Sequence, residues 1–112
     1  RMKRDLPPLK WCARCAEVAR AHSKDMYRNG YFSHVDLDGN NPFERMRDQK
    51  IRYESAGENL VIAPSIDEAH RGLMRSADHR ANILRQTFDE VGIGIYKGPY
   101  GFMCTQVFRD AL

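Results

Sequence analysis

Between about Lys10 and Arg28, apolar or small residues return at Cys12, Cys15, Ala19, His22 and Met26. Steps of three and four place them on one face of an amphipathic helix, and Asn29-Gly30 supplies its stop, because glycine accepts the left-handed backbone that ends helices. A shorter helix is predicted after Asn41, an N-cap type followed by Pro42 at the first helical position, with Phe43, Met46 and Arg47 behind it. Ala56 to Ile62 reads as an apolar segment interrupted by Glu58-Asn59 and ended by Pro64. Ser65-Ile66-Asp67-Glu68 has the form of a capping box, so a third helix starts there and buries Ile66, Ala69, Leu73 and Ala77. His70 shares that face and reads as a packing or hydrogen-bonded histidine.

Further along, the period changes to two. Val91, Ile93 and Ile95 alternate with Gly92 and Gly94, Lys97-Gly98-Pro99-Tyr100-Gly101 supplies a loop, and Phe102 to Phe108 alternates again, which predicts a β-hairpin. Glycine at both outward positions of the first strand implies that another element approaches it closely.

The chain has 112 residues, which bounds it to one domain over 1–112 with one core, and residues 1–8 read as a tail. Its 42% hydrophobic and 29% charged residues are ordinary for a soluble globular protein and exclude the disordered and collagen-like classes. A net charge of +3, scattered along the chain, argues against nucleic acid as a partner. The small basic cluster Arg1-Met2-Lys3-Arg4 is followed by Asp5 and two prolines, so it reads as a solvated end. No apolar run approaches the roughly 20 residues of a membrane span, and no secretory signal core is present. Three cysteines leave at least one unpaired within the chain. The Cys12-x-x-Cys15 spacing puts both side chains on the apolar helix face, so core packing is the favoured reading, one disulfide (for instance from Cys12 or Cys15 to Cys104) the alternative, and a redox centre the least favoured.

Candidate chemistry sits in three separated stretches: Ser33-His34, Gly57-Glu58-Asn59-Leu60, and Ser76 to Leu84 with His79 inside it. Two imidazoles and a carboxylate, brought into one cleft, suit metal binding or proton transfer. Asp36, Asp38 and Asn40 have the spacing that opens a calcium loop, but Gly39 precedes Asn40 and Arg47 occupies the position of the closing glutamate, so this is read as a solvated loop.

The order and spacing of Ala21-His22-Ser23-Lys24-Asp25-Met26, Gly30-Tyr31-Phe32-Ser33-His34, Glu44-Arg45, Gly57-Glu58-Asn59-Leu60, Ser76 to Leu84, Glu90 to Gly94 and Thr105 to Phe108 resembles the CAP superfamily (cysteine-rich secretory proteins, antigen 5 and pathogenesis-related proteins), above all its short bacterial SCP-like branch. The resemblance implies an α+β fold, a three-layer α-β-α sandwich with a small antiparallel sheet, and a cleft where His34, Glu58 and His79 meet. The core is expected to include Cys15, Ala19, Met26, Leu73, Ile83, Val91, Ile93 and Phe108.

Family members resemble one another in a cavity of two histidines and two acids. Here the second acid aligns with Ser76, and Leu73 replaces the aromatic that precedes it in many eukaryotic members. The implied site is His34 and His79 as ligands of a weakly held divalent metal such as zinc, with Glu58, Ser76 and Asn82 lining the cleft. Arg80 and Asn82 read first as anchors of their own helix turn, and Glu58 alternatively as a hydrogen-bonded tie for its own segment.

The function implied is that of a secreted or cell-envelope binding module, monomeric, with a protein or cell-wall ligand. A metal-dependent hydrolase using Glu58 as base is the alternative, weakened because hydrolytic zinc sites usually have three protein ligands. Lipid or sterol carriage, proposed for some eukaryotic relatives, ranks last.

Overall fold

The structure, a computed structural model, describes residues 6–99 and 101–110, so the tail reading of 1–8 falls mostly outside it. The elements run β1 (Lys10–Trp11), α1 (Ala13–Asn29), α2 (Pro42–Asp48), β2 (Ser55–Ala63), α3 (Ile66–Arg75), α4 (Ala77–Leu84), β3 (Glu90–Gly98) and β4 (Gly101–Asp110). They form the expected α+β sandwich. The strand order is β1-β3-β4-β2; β3, β4 and β2 are antiparallel, while β1 joins β3 in parallel through two residues, so the sheet is mixed and not purely antiparallel. Two residues are too few to show a period, which is why β1 is invisible to pattern reading.

Alternation along β4 separates the layers. Val107 packs with Cys15, Val18 and Ala19 of α1 and Met46 of α2, whereas its neighbour Phe108 packs with Leu73 of α3 and Ile83 of α4. Of the expected core, Cys15, Ala19, Met26, Leu73, Ile83 and Phe108 are buried, and Val91 and Ile93 are half-buried.

α1 lies very close to β3. A Cβ built on Gly92 would sit 2.1 Å from the Ala16 nitrogen, and one on Gly94 would sit 1.9 Å from the Arg20 nitrogen. The close approach expected from these glycines is therefore present, but they face inward, toward α1. Ser23 fastens the contact: its hydroxyl donates to the Gly94 carbonyl (2.9 Å) and accepts from the Thr105 hydroxyl (2.7 Å).

Helix ends account for most of the shifted boundaries. Lys10 and Trp11 belong to the sheet, so α1 begins at Ala13, with the Cys12 sulfur accepting from the Cys15 amide. Both cysteines are in the core, as expected, yet they are disulfide-bonded to each other, and buried Cys104 is the free thiol, which replaces the alternative bridge to Cys104. Their Cα atoms stand 5.2 Å apart, within the ordinary disulfide range.

α2 carries a reciprocal box, with Asn41 Oδ1 accepting from the Glu44 amide and Glu44 Oε1 from the Asn41 amide. Its far end is a Schellman turn, Ile51 N–H to Met46 O and Lys50 N–H to Arg47 O, with Lys50 at φ 58° where glycine is usual. In α3 only the Ser65 half of the predicted box is made, to the Glu68 amide at 3.1 Å. Ala69 and Leu73 are buried, but Ile66 and His70 are exposed, and Ala77 is exposed because α3 ends at Arg75, Ser76 is extended and Ala77 opens a separate helix, α4. Among the described residues, no helix is long and apolar enough to cross a membrane.

Two outcomes follow from this packing. Gly94→Ala forces its methyl group into the α1 backbone and is expected to destabilise the protein by about 3 kcal/mol, the upper end of overpacking costs, measured as a fall in the denaturant midpoint. Burial shields every sulfur and pushes the Cys104 thiol pKa up. The native protein should therefore show no fast-reacting thiol, one after denaturation without reductant, and three after reduction. A rapidly labelled native cysteine would contradict it.

Candidate functional site

β2 is the edge strand that carries the site, and its alternation sends successive side chains to opposite layers. Ala56 and Leu60 pack on the α1 side, Val61 and Ala63 on the α3 and α4 side. Glu58 therefore points toward α1 and α2, and Asn59 toward α3 and α4.

The Glu58 side chain is 1% exposed. A carboxylate so far out of water needs compensating charge or donors, and here it has both. Oε1 accepts from His34 Nδ1 at 2.9 Å and from Arg45 Nη2 at 3.3 Å, while Oε2 accepts from Arg45 Nη1 at 3.1 Å. Arg45, reaching in from α2, also donates to the His34 carbonyl. The carboxylate can only accept, so His34 holds its proton on Nδ1, and the other ring nitrogen, Nε2, belongs to a side chain that is 53% exposed.

The loop bearing His34 is fixed at several points. His22 Nε2 donates to the Ser33 carbonyl at 2.8 Å, and Asp36 Oδ1 accepts from the amides of Asp38 and Asn40 at 3.0 and 2.9 Å, the turn behind the calcium-like spacing. The Tyr31 hydroxyl donates to Asp25, and burial, then that bond, raises its pKa.

On the other face, buried Asn59 holds α4. Its Nδ2 donates to the His79 carbonyl (3.0 Å) and to Gln106 Oε1 (3.1 Å), and its Oδ1 accepts from Asn82 Nδ2 (2.8 Å), which also reaches the Glu58 carbonyl at 3.3 Å. Asn82 is thus an anchor, and so is Arg80, whose guanidinium donates to the Met74 carbonyl at 3.4 Å. Ser76 forms the joint between α3 and α4 through its backbone, donating to Gly72 and accepting from Arg80.

His34 and Glu58 are therefore in direct contact. The half-buried His79 is brought to the same strand by its backbone, and its ring makes no hydrogen bond to either of them among the described residues. Nor does any group of three or more His, Cys, Asp or Glu side chains among those residues stand together as a metal cage. Arg45 and Asn59 carry much of this geometry without having been assigned a role from the sequence, and His22 was read only as a helix-face residue. A carboxylate inside an apolar strand does signal a missing cation, but several arginines could have supplied it.

Comparison with known proteins agrees with this architecture. A model of the cysteine-rich secretory protein family, CAP, matches residues 1–108. The uncharacterized protein YkwD of Bacillus subtilis is 35% identical over 109 residues, which cover 96% of this chain and 42% of that protein. A solved extracellular protein containing an SCP domain, from Bacillus anthracis, superposes with a TM-score of 0.88 at 36% identity over 97% of this chain and 36% of that one. An outer surface protein of Borrelia burgdorferi shares the fold, with a TM-score of 0.89 at 18% identity over 100% of this chain and 84% of that one. The chain spans less than half the length of the first two relatives.

The Glu58 pairing makes an energetic prediction. Glu58→Leu leaves the Arg45 guanidinium buried without its partner and should cost roughly 3 kcal/mol, as breaking a buried ion pair does. Glu58→Leu with Arg45→Met removes both charges and should be more stable than Glu58→Leu alone. Denaturant unfolding of the single variants and the double variant gives the coupling energy; additive losses would show that the pair is not coupled.

Proposed function

The chain belongs to the cysteine-rich secretory protein (CAP) family, and from that membership we propose that it is an extracellular or cell-envelope binding domain and not a hydrolase. The observation that carries this reading is the state of Glu58. His34 and Arg45 make three hydrogen bonds to its two oxygens and its side chain is 1% exposed, so it is tied into an ion pair and shielded from the water a general base would have to reach. It acts as a positioning residue: it turns His34 so that Nε2 faces outward.

A divalent metal such as zinc fits the donors only in part. His34 Nε2 and the His79 imidazole are the residues that would hold it, and when bound it would supply a Lewis-acidic point for a ligand's oxygen or nitrogen. Two imidazoles without a third protein donor support weak binding, and the adjacent Arg45 cation opposes any positive ion. The extracellular setting draws support from the Bacillus anthracis relative.

Calorimetry with zinc tests the site. Binding should be weak, should weaken further from neutral to mildly acid pH because imidazole must be unprotonated to ligate, and should be lost in His79→Ala. Binding unchanged in His79→Ala would remove this site. Zinc-dependent peptide cleavage that disappears in Glu58→Gln would replace the binding reading with the hydrolase.

A further inference from the structure

Beside the His34 cleft, on the far side of Arg45, a groove of about 470 Å³ runs between α1 and the segment from Asp36 to Gln49. Glu17, Asp25, Asp36, Asp38 and Asp48 line it. The opposing cation in its wall is Arg45, which is already paired with Glu58. This concentration of negative charge stands on a chain whose net charge is +3, so composition does not account for it.

A second observation concerns His22, which also lines the groove and is 2% exposed. Its Nε2 faces the Ser33 carbonyl, an acceptor, and must carry the proton. Burial, then the nearby Arg45 charge, lowers its pKa and so favours the neutral ring. Nδ1 is therefore a buried hydrogen-bond acceptor, and it has no partner. Arg45 Nε is likewise buried without a partner, a donor in the same wall. Buried polar atoms are rarely left unpaired, so this wall has one acceptor and one donor that a bound molecule could satisfy once the side chains covering them turn aside.

We propose that the groove binds a basic peptide segment of a partner protein: a lysine or arginine side chain enters among the carboxylates and donates an N–H to His22 Nδ1, while a peptide carbonyl accepts from Arg45 Nε. A bare metal ion supplies no acceptor for Arg45, and an apolar ligand leaves both orphan atoms unpaired. The volume lies within the usual range for ligand pockets. Neither His34 nor His79 lines the groove, so the zinc experiment and this one succeed or fail separately.

The test titrates the protein with acetyl-Lys-Gly-Lys-amide and with its norleucine analogue at low salt, following the imidazole nitrogens of His22 by NMR. The lysine peptide should saturate and shift the Nδ1 resonance, and the norleucine peptide should do neither. Raising the salt should weaken the complex through screening. Glu17→Gln with Asp38→Asn removes two exposed carboxylates that make no bond among the described residues, and should weaken binding about fivefold while the circular dichroism stays unchanged. Equal binding of the norleucine peptide, saturation without movement of His22, or displacement of the lysine peptide by millimolar calcium acting on the same carboxylates would overturn the proposal.

Discussion

A carboxylate stripped of nearly all its water must be answered by charge and donors, and at Glu58 that requirement organises one whole side of the molecule. The strand that carries it is an edge strand, so the answering groups come from outside the sheet, from α2 through Arg45 and from the following loop of α1 through His34. Removing Arg45 would leave a buried charge whose cost is comparable to a large part of a small domain's net stability. The loop from Tyr31 to Asn41 contains no regular structure of its own, and it holds its course because Glu58, Ser33 and Asp36 each fix one point of it.

The next residue along the strand does the same for the opposite layer. Asn59 takes the His79 carbonyl and the Asn82 side chain and so sets where α4 sits. Because strand side chains alternate, a slip of one residue in β2 would exchange Glu58 and Asn59 between layers and leave both without their partners. The register of β2 against β4, from Ser55 opposite Asp110 to Ala63 opposite Phe102, is therefore fixed by polar chemistry as well as by apolar packing. The tight α1 contact with Gly92 and Gly94 provides the rigid half on which this arrangement rests.

How much of this could be read from the chain follows from which elements are half-solvated. α1 and the β3–β4 hairpin show their periods, and the glycines announced a close neighbour. β2 faces helices on both sides, so Glu58-Asn59 read as an interruption of an apolar run when it is the centre of a strand. α4 has one buried residue, Ile83, which leaves no stripe to find. His34 and Glu58 emerged as a pair only through the order of motifs that the family shares; the register of β2 lies in long-range pairing, which local spacing does not encode. Cys12 and Cys15 were legible as core, but a bond between them depends on the turn at the start of α1 and not on their apolar character.

Arg45 links the two candidate surfaces physically. Two of its donors hold Glu58, the His34 carbonyl takes another contact, and its Nε remains in the wall of the acidic groove. A guanidinium is planar, so a shift that serves the groove must tilt the fork that holds the carboxylate. Glu58 in turn sets the ring of His34. The same guanidinium therefore borders both surfaces, its fork on the carboxylate and its Nε buried beside the groove.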